Sequence, residues 1–391
     1  MTGDDIPLSR PSISQTEIDA VCEVMRSGWL SHGAYNGLFE AAFAESIGVP
    51  HAVSMNSCTS ALEIALRVAG IGGEVVLPSF TWVASANAVV TSGATPVFCE
   101  VDRATRNVTA DTVAATLTPR TEAVMVVHFG GQICAMDDIV ELCSRRGLLL
   151  IEDSAETLGA HWRGRPAGSF GMGCFSFFPT KNITTGEGGM LTCRDAEFAQ
   201  KARALISHGI ASTTEQREMS DRPWWRAADF AGHNYRLSNI LAAIGYHQLQ
   251  RLAEMNGRRV ALAARYDKAL AKVPQIRLPQ VTDGATHVYQ MYTVQTPGSI
   301  RDAIVAGLRQ VGIGASVHFD PPVHLHPFYR TLGWREGQLP VTEDLARSVL
   351  SLPLFPDMSL PQQDRVIDAL GAMLGPGATH DPVAAVAPAC S

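Results

Sequence analysis

Only four of the 31 basic residues in this chain are lysines: Lys181, Lys201, Lys268 and Lys272. Three of these sit in Ala-rich helical stretches among charged neighbours, as solvated side chains do. Lys181 does not. It follows an apolar run, in Phe175-Ser176-Phe177-Phe178-Pro179-Thr180-Lys181-Asn182-Ile183-Thr184-Thr185-Gly186-Glu187-Gly188-Gly189-Met190, where Pro179 and the glycines let backbone come close to a ligand. A desolvated lysine gives up its proton readily, and its neutral amine attacks an aldehyde to form a Schiff base; arginine cannot do this. A surface lysine beside a hairpin turn is the plain alternative, and this segment alone favours neither.

A second segment breaks the tie. Leu148-Leu149-Leu150-Ile151-Glu152-Asp153 reads as a buried strand ending in two acids, and in open α/β sheets ligands bind beyond the carboxyl ends of the strands. A carboxylate at Asp153 keeps a pyridinium nitrogen protonated, preserving the electron sink of pyridoxal phosphate (PLP) chemistry. Its ordinary role there would be to cap a helix. Asn56-Ser57-Cys58-Thr59-Ser60 precedes an evident helix from Ala61 to Arg67, so N–H groups and hydroxyls converge where the helix dipole favours a phosphate, with Ser176 adding a hydroxyl. Simple capping by Ser57 or Thr59 explains that segment equally well. Trp82, in Pro78-Ser79-Phe80-Thr81-Trp82, follows another strand and is able to stack on a planar ring, although an aromatic there is more often core. Each element is ambiguous singly; their co-occurrence at one sheet edge is the evidence.

The elements that must position these residues follow from periodicity. From about Thr16 to Gly70 the pattern is helical, implying two amphipathic helices. Apolar runs at Glu74 to Leu77, Thr95 to Cys99, Ala123 to His128, Leu148 to Glu152 and Cys174 to Phe178 then alternate with helical segments, which argues for an α/β fold with a mostly parallel sheet. After Asn239 a long helix to about Leu270, strands around Val288 to Val294 and a helix near Ile300 to Val311 suggest a smaller C-terminal α/β domain. The expected division is a large cofactor-binding domain over 1–245, a small domain over 246–375 and a disordered tail over 376–391.

Composition bounds the function. With 391 residues, 46% of them hydrophobic, the chain can bury a large core, and a net charge of -7 gives no basic field for nucleic acid. No run is long enough to span a membrane and Met1 to Arg10 lacks a secretory pattern, so a cytoplasmic location is expected. The eight cysteines are scattered without a C-x-x-C pair and read as reduced thiols. His318, His324 and His326, around Pro321-Pro322, lack a metal-ligand spacing and read as residues of a loop near the substrate. Trp224 and Trp225 either flank a sugar or anchor their loop.

On these residues the chain resembles the DegT/DnrJ/EryC1/StrS sugar aminotransferases, of PLP fold type I. The resemblance runs from Pro7-Leu8-Ser9-Arg10-Pro11 and Ser27-Gly28-Trp29 through His128-Phe129-Gly130-Gly131-Gln132 and Gly232-His233-Asn234-Tyr235-Arg236 to Ser351-Leu352-Pro353. With Glu156 rather than glutamine or histidine, and Ile183 to Met190, it is similar to perosamine-synthase-like members that aminate C4 of a nucleotide sugar. The resemblance implies Lys181 as Schiff-base former and proton shuttle, Asp153 at the ring nitrogen, Trp82 on the ring face and Glu156 near the phenolic oxygen. It further implies that Ser57, Cys58, Thr59 and Ser176 hold the phosphate, and that Asn234 reaches it from the other subunit of a homodimer. Cys58 departs from a glycine common in the family, which would require Cys58 to take a conformation glycine takes freely.

The implied reaction is a ping-pong transfer of an amino group, from L-glutamate by family analogy, to a keto sugar, with a nucleotide-linked 4-keto-6-deoxy sugar expected. A ketocyclitol acceptor and a non-catalytic PLP-binding regulator are the alternatives. A 3-dehydrase of the family would have histidine in place of Lys181, and a nucleotide-dependent oxidoreductase would need a G-x-G-x-x-G turn that the sequence lacks.

Overall fold

A computed structural model of the chain describes residues 5–211, 221 and 224–374. The tail expected beyond 375 lies outside the described residues. A seven-stranded sheet forms the centre, built from β1 (His51–Met55), β2 (Glu74–Pro78), β3 (Thr95–Cys99), β4 (Thr121–Val127), β5 (Leu149–Asp153), β8 (Met172–Ser176) and β9 (Gly189–Cys193); β6 (His161–Trp162) and β7 (Arg165–Pro166) form a small hairpin beside it. The order is β1-β9-β8-β5-β4-β2-β3. Five strands, from β3 to β8, run parallel, whereas β9 is antiparallel to both β8 and β1. Strands such as Glu74–Pro78 are buried along their whole length because helices cover both faces, which is why they read as continuous apolar runs.

Two expectations need correction. The stretch from Thr16 to Gly70 holds, besides helices at Gln15–Ser27, Ala34–Ile47 and Cys58–Val68, the strand β1, whose partner β9 lies more than a hundred residues away and leaves no local trace in periodicity. The long helix expected to Leu270 is two helices, Asn239–Gln250 and Leu252–Leu270, meeting at Arg251. Arg251 has φ -98° and ψ 0° there, and its guanidinium bonds Glu17 Oε1 at 2.9 Å and Ser12 Oγ at 3.1 Å, tying the junction to the N-terminal segment. Glu17 also accepts from Gln248 at 2.7 Å. Burial alone would raise its carboxyl, but the bonds from Ser14, Gln248 and Arg251 outweigh that and hold it down at about 2.

A second hydrophobic core joins Ile6 to residues between Leu262 and Leu374, around the two-stranded sheet of β10 (Tyr292–Gln295) and β11 (Val349–Leu352) and the helices Gly298–Gln310 and Leu360–Leu374. Between these elements the chain packs back on the central sheet, with Val323, Tyr329 and Leu339 in one of its cores and Phe319 and Leu345 in another. The expected boundary after 245 falls inside the helix Asn239–Gln250. No described helix is long and apolar enough to cross a membrane.

Candidate active site

Period-two alternation aims the lysine segment. Phe175 and Phe177 point to one face and join Phe39 and Phe43 in an aromatic cluster, with Phe43 and Phe175 centroids 4.9 Å apart and Phe39 and Phe177 5.2 Å apart. Ser176 and Phe178 therefore face the other way, into a cavity of about 460 Å³. Beyond them the chain turns, with Lys181 N–H donating to Phe178 O at 2.9 Å, and returns through Thr185 N–H to Phe177 O at 3.0 Å and Phe177 N–H to Gly188 O at 2.9 Å. Lys181 stands in this closed loop with its side chain in the cavity, 16% exposed. Gly189 is required by a close approach, since a Cβ there would lie 2.3 Å from the carbonyl carbon of Ser57.

The same cavity is lined by Ser57, Cys58, Thr59, Trp82, Asp153, Glu156 and Ser176, so every predicted site residue except Asn234 converges on it. Ser57 caps the helix Cys58–Val68, accepting the Ser60 N–H at 3.1 Å. The helix starts three residues earlier than the sequence suggested, which places Cys58 and Thr59 in the first turn, where backbone N–H groups lack helical partners. Cys58 is thus an ordinary right-handed residue outside the positive-φ set, and the strain expected from replacing glycine does not arise. Burial pushes its thiol well up, so it sits there as a neutral group. Trp82 precedes the helix Val83–Ser92 and lines the cavity while 64% exposed, its ring centroid 6.4 Å from that of Phe319.

Asp153 ends β5, only 5% exposed. Its Oδ2 accepts Ser85 O–H at 2.7 Å, and its Oδ1 accepts Ala155 N–H at 3.2 Å. Burial raises its carboxyl; Ser85, Ala155 and the charge of Lys181 only partly offset that. Glu156, in the turn after β5, accepts Gly130 N–H on Oε2 at 2.7 Å and Lys181 Nζ on Oε1 at 3.2 Å. Lys181 thus faces a buried carboxylate rather than the purely apolar surroundings expected from sequence. Asn234 is exposed and lies outside the cavity, paired through backbone with Ser207.

Several cavity residues carried no local sequence signal. Ser85 lies in the first turn of its helix, and Gln290, Met291, Phe319 and Ser351 come from the C-terminal part of the chain. His318 also lines the cavity, with Nδ1 and Ser351 Oγ 2.7 Å apart; burial holds its imidazole down. His324 is buried between Ser79 and Glu343, while His326 bonds the Pro321 carbonyl. No group of His, Cys, Asp or Glu suited to a metal occurs among the described residues. Trp224 and Trp225 are exposed and do not line the cavity.

An acid whose carboxyl burial pushes up, a lysine amine inside the cavity, and a helix N-terminus suited to phosphate are complementary to a phosphorylated pyridine aldehyde. Comparison with known proteins agrees: the sequence profile of the DegT/DnrJ/EryC1/StrS aminotransferase family matches residues 11–371. The chain belongs to this family. The spore coat polysaccharide biosynthesis protein SpsC of Bacillus subtilis (strain 168) is 40% identical over 374 residues, covering 93% of this chain and 96% of SpsC. The crystal structure of S. venezuelae DesV in complex with a ketimine intermediate is 37% identical with a TM-score of 0.85, over 94% of this chain and 97% of DesV. The PLP form of a putative sugar aminotransferase, Spr1654 from Streptococcus pneumoniae, is 27% identical with a TM-score of 0.87, over 93% and 97% of the two chains. As a DegT/DnrJ/EryC1/StrS member the chain is a PLP-dependent aminotransferase with the fold type I architecture.

Proposed function

We propose that the enzyme moves an amino group from L-glutamate to a nucleotide-linked 4-keto-6-deoxy sugar, and that Lys181 and Asp153 are its catalytic residues. The observation that carries this reading is the convergence of Lys181, Asp153, Glu156, the Ser57 to Thr59 turn and Trp82 on one cavity. SpsC takes its name from polysaccharide biosynthesis, which supports a sugar acceptor.

When bound, PLP supplies the aldehyde that takes up the amino group and the ring that withdraws electrons from the reacting carbon. Lys181 would hold the cofactor through Nζ, and the same amine, when free, would carry protons to and from the reacting carbon. Asp153 would accept the ring N–H, and the charge of the protonated ring would offset the burial that raises its carboxyl. Ser57, Cys58, Thr59 and Ser176 hold the phosphate through the first-turn N–H groups and hydroxyls, and Trp82 stacks on the ring. Glu156 faces the phenolic oxygen. Asn234, outside the cavity of its own chain, would reach the phosphate held in a partner subunit, which would make the active site a property of a homodimer. The setting is cytoplasmic.

The test uses the amine form of the enzyme. Purified protein should be yellow, glutamate should shift its visible band, and a panel of keto-sugar nucleotides and ketocyclitols should then be screened by mass spectrometry. A 4-amino sugar nucleotide is the expected product; conversion of a ketocyclitol alone would overturn the acceptor assignment.

A further inference from the structure

Glu156 has its orientation fixed by backbone. A backbone N–H only donates, so the Gly130 N–H at 2.7 Å commits Oε2 as an acceptor and leaves Oε1 facing Lys181 Nζ at 3.2 Å. The donor is fixed in turn. Gly130 has φ +67° within the turn Phe129–Gly131, which Asn107 brackets by accepting Phe129 N–H at 2.8 Å and donating to the Gln132 carbonyl at 3.0 Å. Asn107, Gly130 and Glu156 are all buried. A rigid chain of bonds thus runs from Asn107 to the lysine amine.

We propose that Glu156 is the proton-holding partner of Lys181: the carboxylate that receives the amine whenever it is free of a covalent bond and stabilises it as ammonium in the cavity. The proposal rests on the PLP reading above but concerns a different contact. In each half-reaction Nζ gains a proton as one C–H bond breaks and gives it up as another C–H bond forms; no oxidant or further reactant is needed. Glu156 stabilises the charged stage of that cycle. The other groups facing Lys181 do not replace it. The Cys58 thiol and the His318 imidazole are both kept neutral by burial, and Asp153 is engaged by Ser85 and Ala155. Glu187 also lines the cavity, yet Glu156 is the acid in hydrogen-bond contact with Nζ.

The position requires a carboxylate, not merely a polar side chain of that shape. In Glu156→Gln the amide oxygen serves Gly130, so the amide NH₂ faces Lys181 and no longer accepts from its ammonium, which raises the share of neutral amine. The experiment is trinitrobenzenesulfonate labelling of the full-length, cofactor-stripped protein at neutral pH, read by mass spectrometry of the digest. Lys201, Lys268 and Lys272 are all exposed and provide internal references in each sample. Relative to them, Lys181 labelling should rise about tenfold or more in Glu156→Gln, the change that a unit shift in the amine's titration produces. Glu156→Asp, which keeps the charge, should fall back toward wild type. An unchanged ratio in Glu156→Gln, or equal ratios in Glu156→Gln and Glu156→Asp, would overturn the proposal. Failure of the PLP reading shows separately, as absence of a borohydride-reducible adduct.

Discussion

Two neighbouring acids on β5 face opposite sides of the sheet and lead opposite lives. Glu152, fully buried, is saturated: its oxygens accept N–H groups from Gly168 at 2.8 Å, Phe170 at 2.7 Å and Gly171 at 2.8 Å, and meet His128 Nε2 at 3.1 Å. Asp153, one residue on, has Ser85 and Ala155 as close donors and opens on the cavity. Glu152 spends its charge welding the 168–171 turn and the end of β4 to the sheet. Burial pushes the Asp153 carboxyl up, and Ser85, Ala155 and the charge of Lys181 offset that only in part, the setting of an acid suited to pair with a cationic ring. Buried charge that the fold satisfies is structural, and buried charge left short is available for chemistry.

That contrast can be broken at several places. The largest effect should come from Lys181→Ala, which is expected to lower amino transfer by about 10⁴-fold, the upper range for losing a general acid–base group, while the urea midpoint stays near wild type. On the back face, Glu152→Ala strands buried donors and should cost about 3–5 kcal/mol in urea unfolding; a variant as stable as wild type would erase the distinction. Asp153→Asn should lower turnover by roughly 10²-fold yet leave the cofactor-free protein as stable or more stable at neutral pH. The sign follows from the raised carboxyl: native Asp153 binds a proton more readily than in the unfolded chain, so its cost is present at neutral pH and is relieved as pH falls.

Glu17 shows the opposite sign. Its carboxyl is held at about 2, below its ordinary 4.5, so its contribution is complete above 4.5 and is lost as pH falls toward 2. Glu17→Gln should flatten the acid limb of a stability–pH profile across that window. The smallest effect belongs to Ser57→Ala, where loss of the cap should cost about 1 kcal/mol and weaken cofactor retention measurably in dialysis.

How much of this was legible in sequence depended on range. Lys181 stood out because lysine is rare here, and Asp153 because a buried strand ends on it; both signals are local. The distinction between Glu152 and Asp153 was not legible, since it is made by residues 168–171, Ser85 and Ala155 arriving from elsewhere. β1 was hidden in a helical reading because only its pairing with β9 makes it a strand. The break at Arg251 was missed for the same reason: its cause is a carboxylate at Glu17, more than two hundred residues earlier. Gln290 and Ser351, which line the cavity from the C-terminal part of the chain, belong to that class too.

The central claim is a covalent bond between Lys181 and PLP. Purified enzyme reduced with borohydride and digested should yield one pyridoxyl-modified peptide, spanning Lys181, with the peptides of Lys201, Lys268 and Lys272 unmodified. An adduct on another lysine, or none, would contradict it.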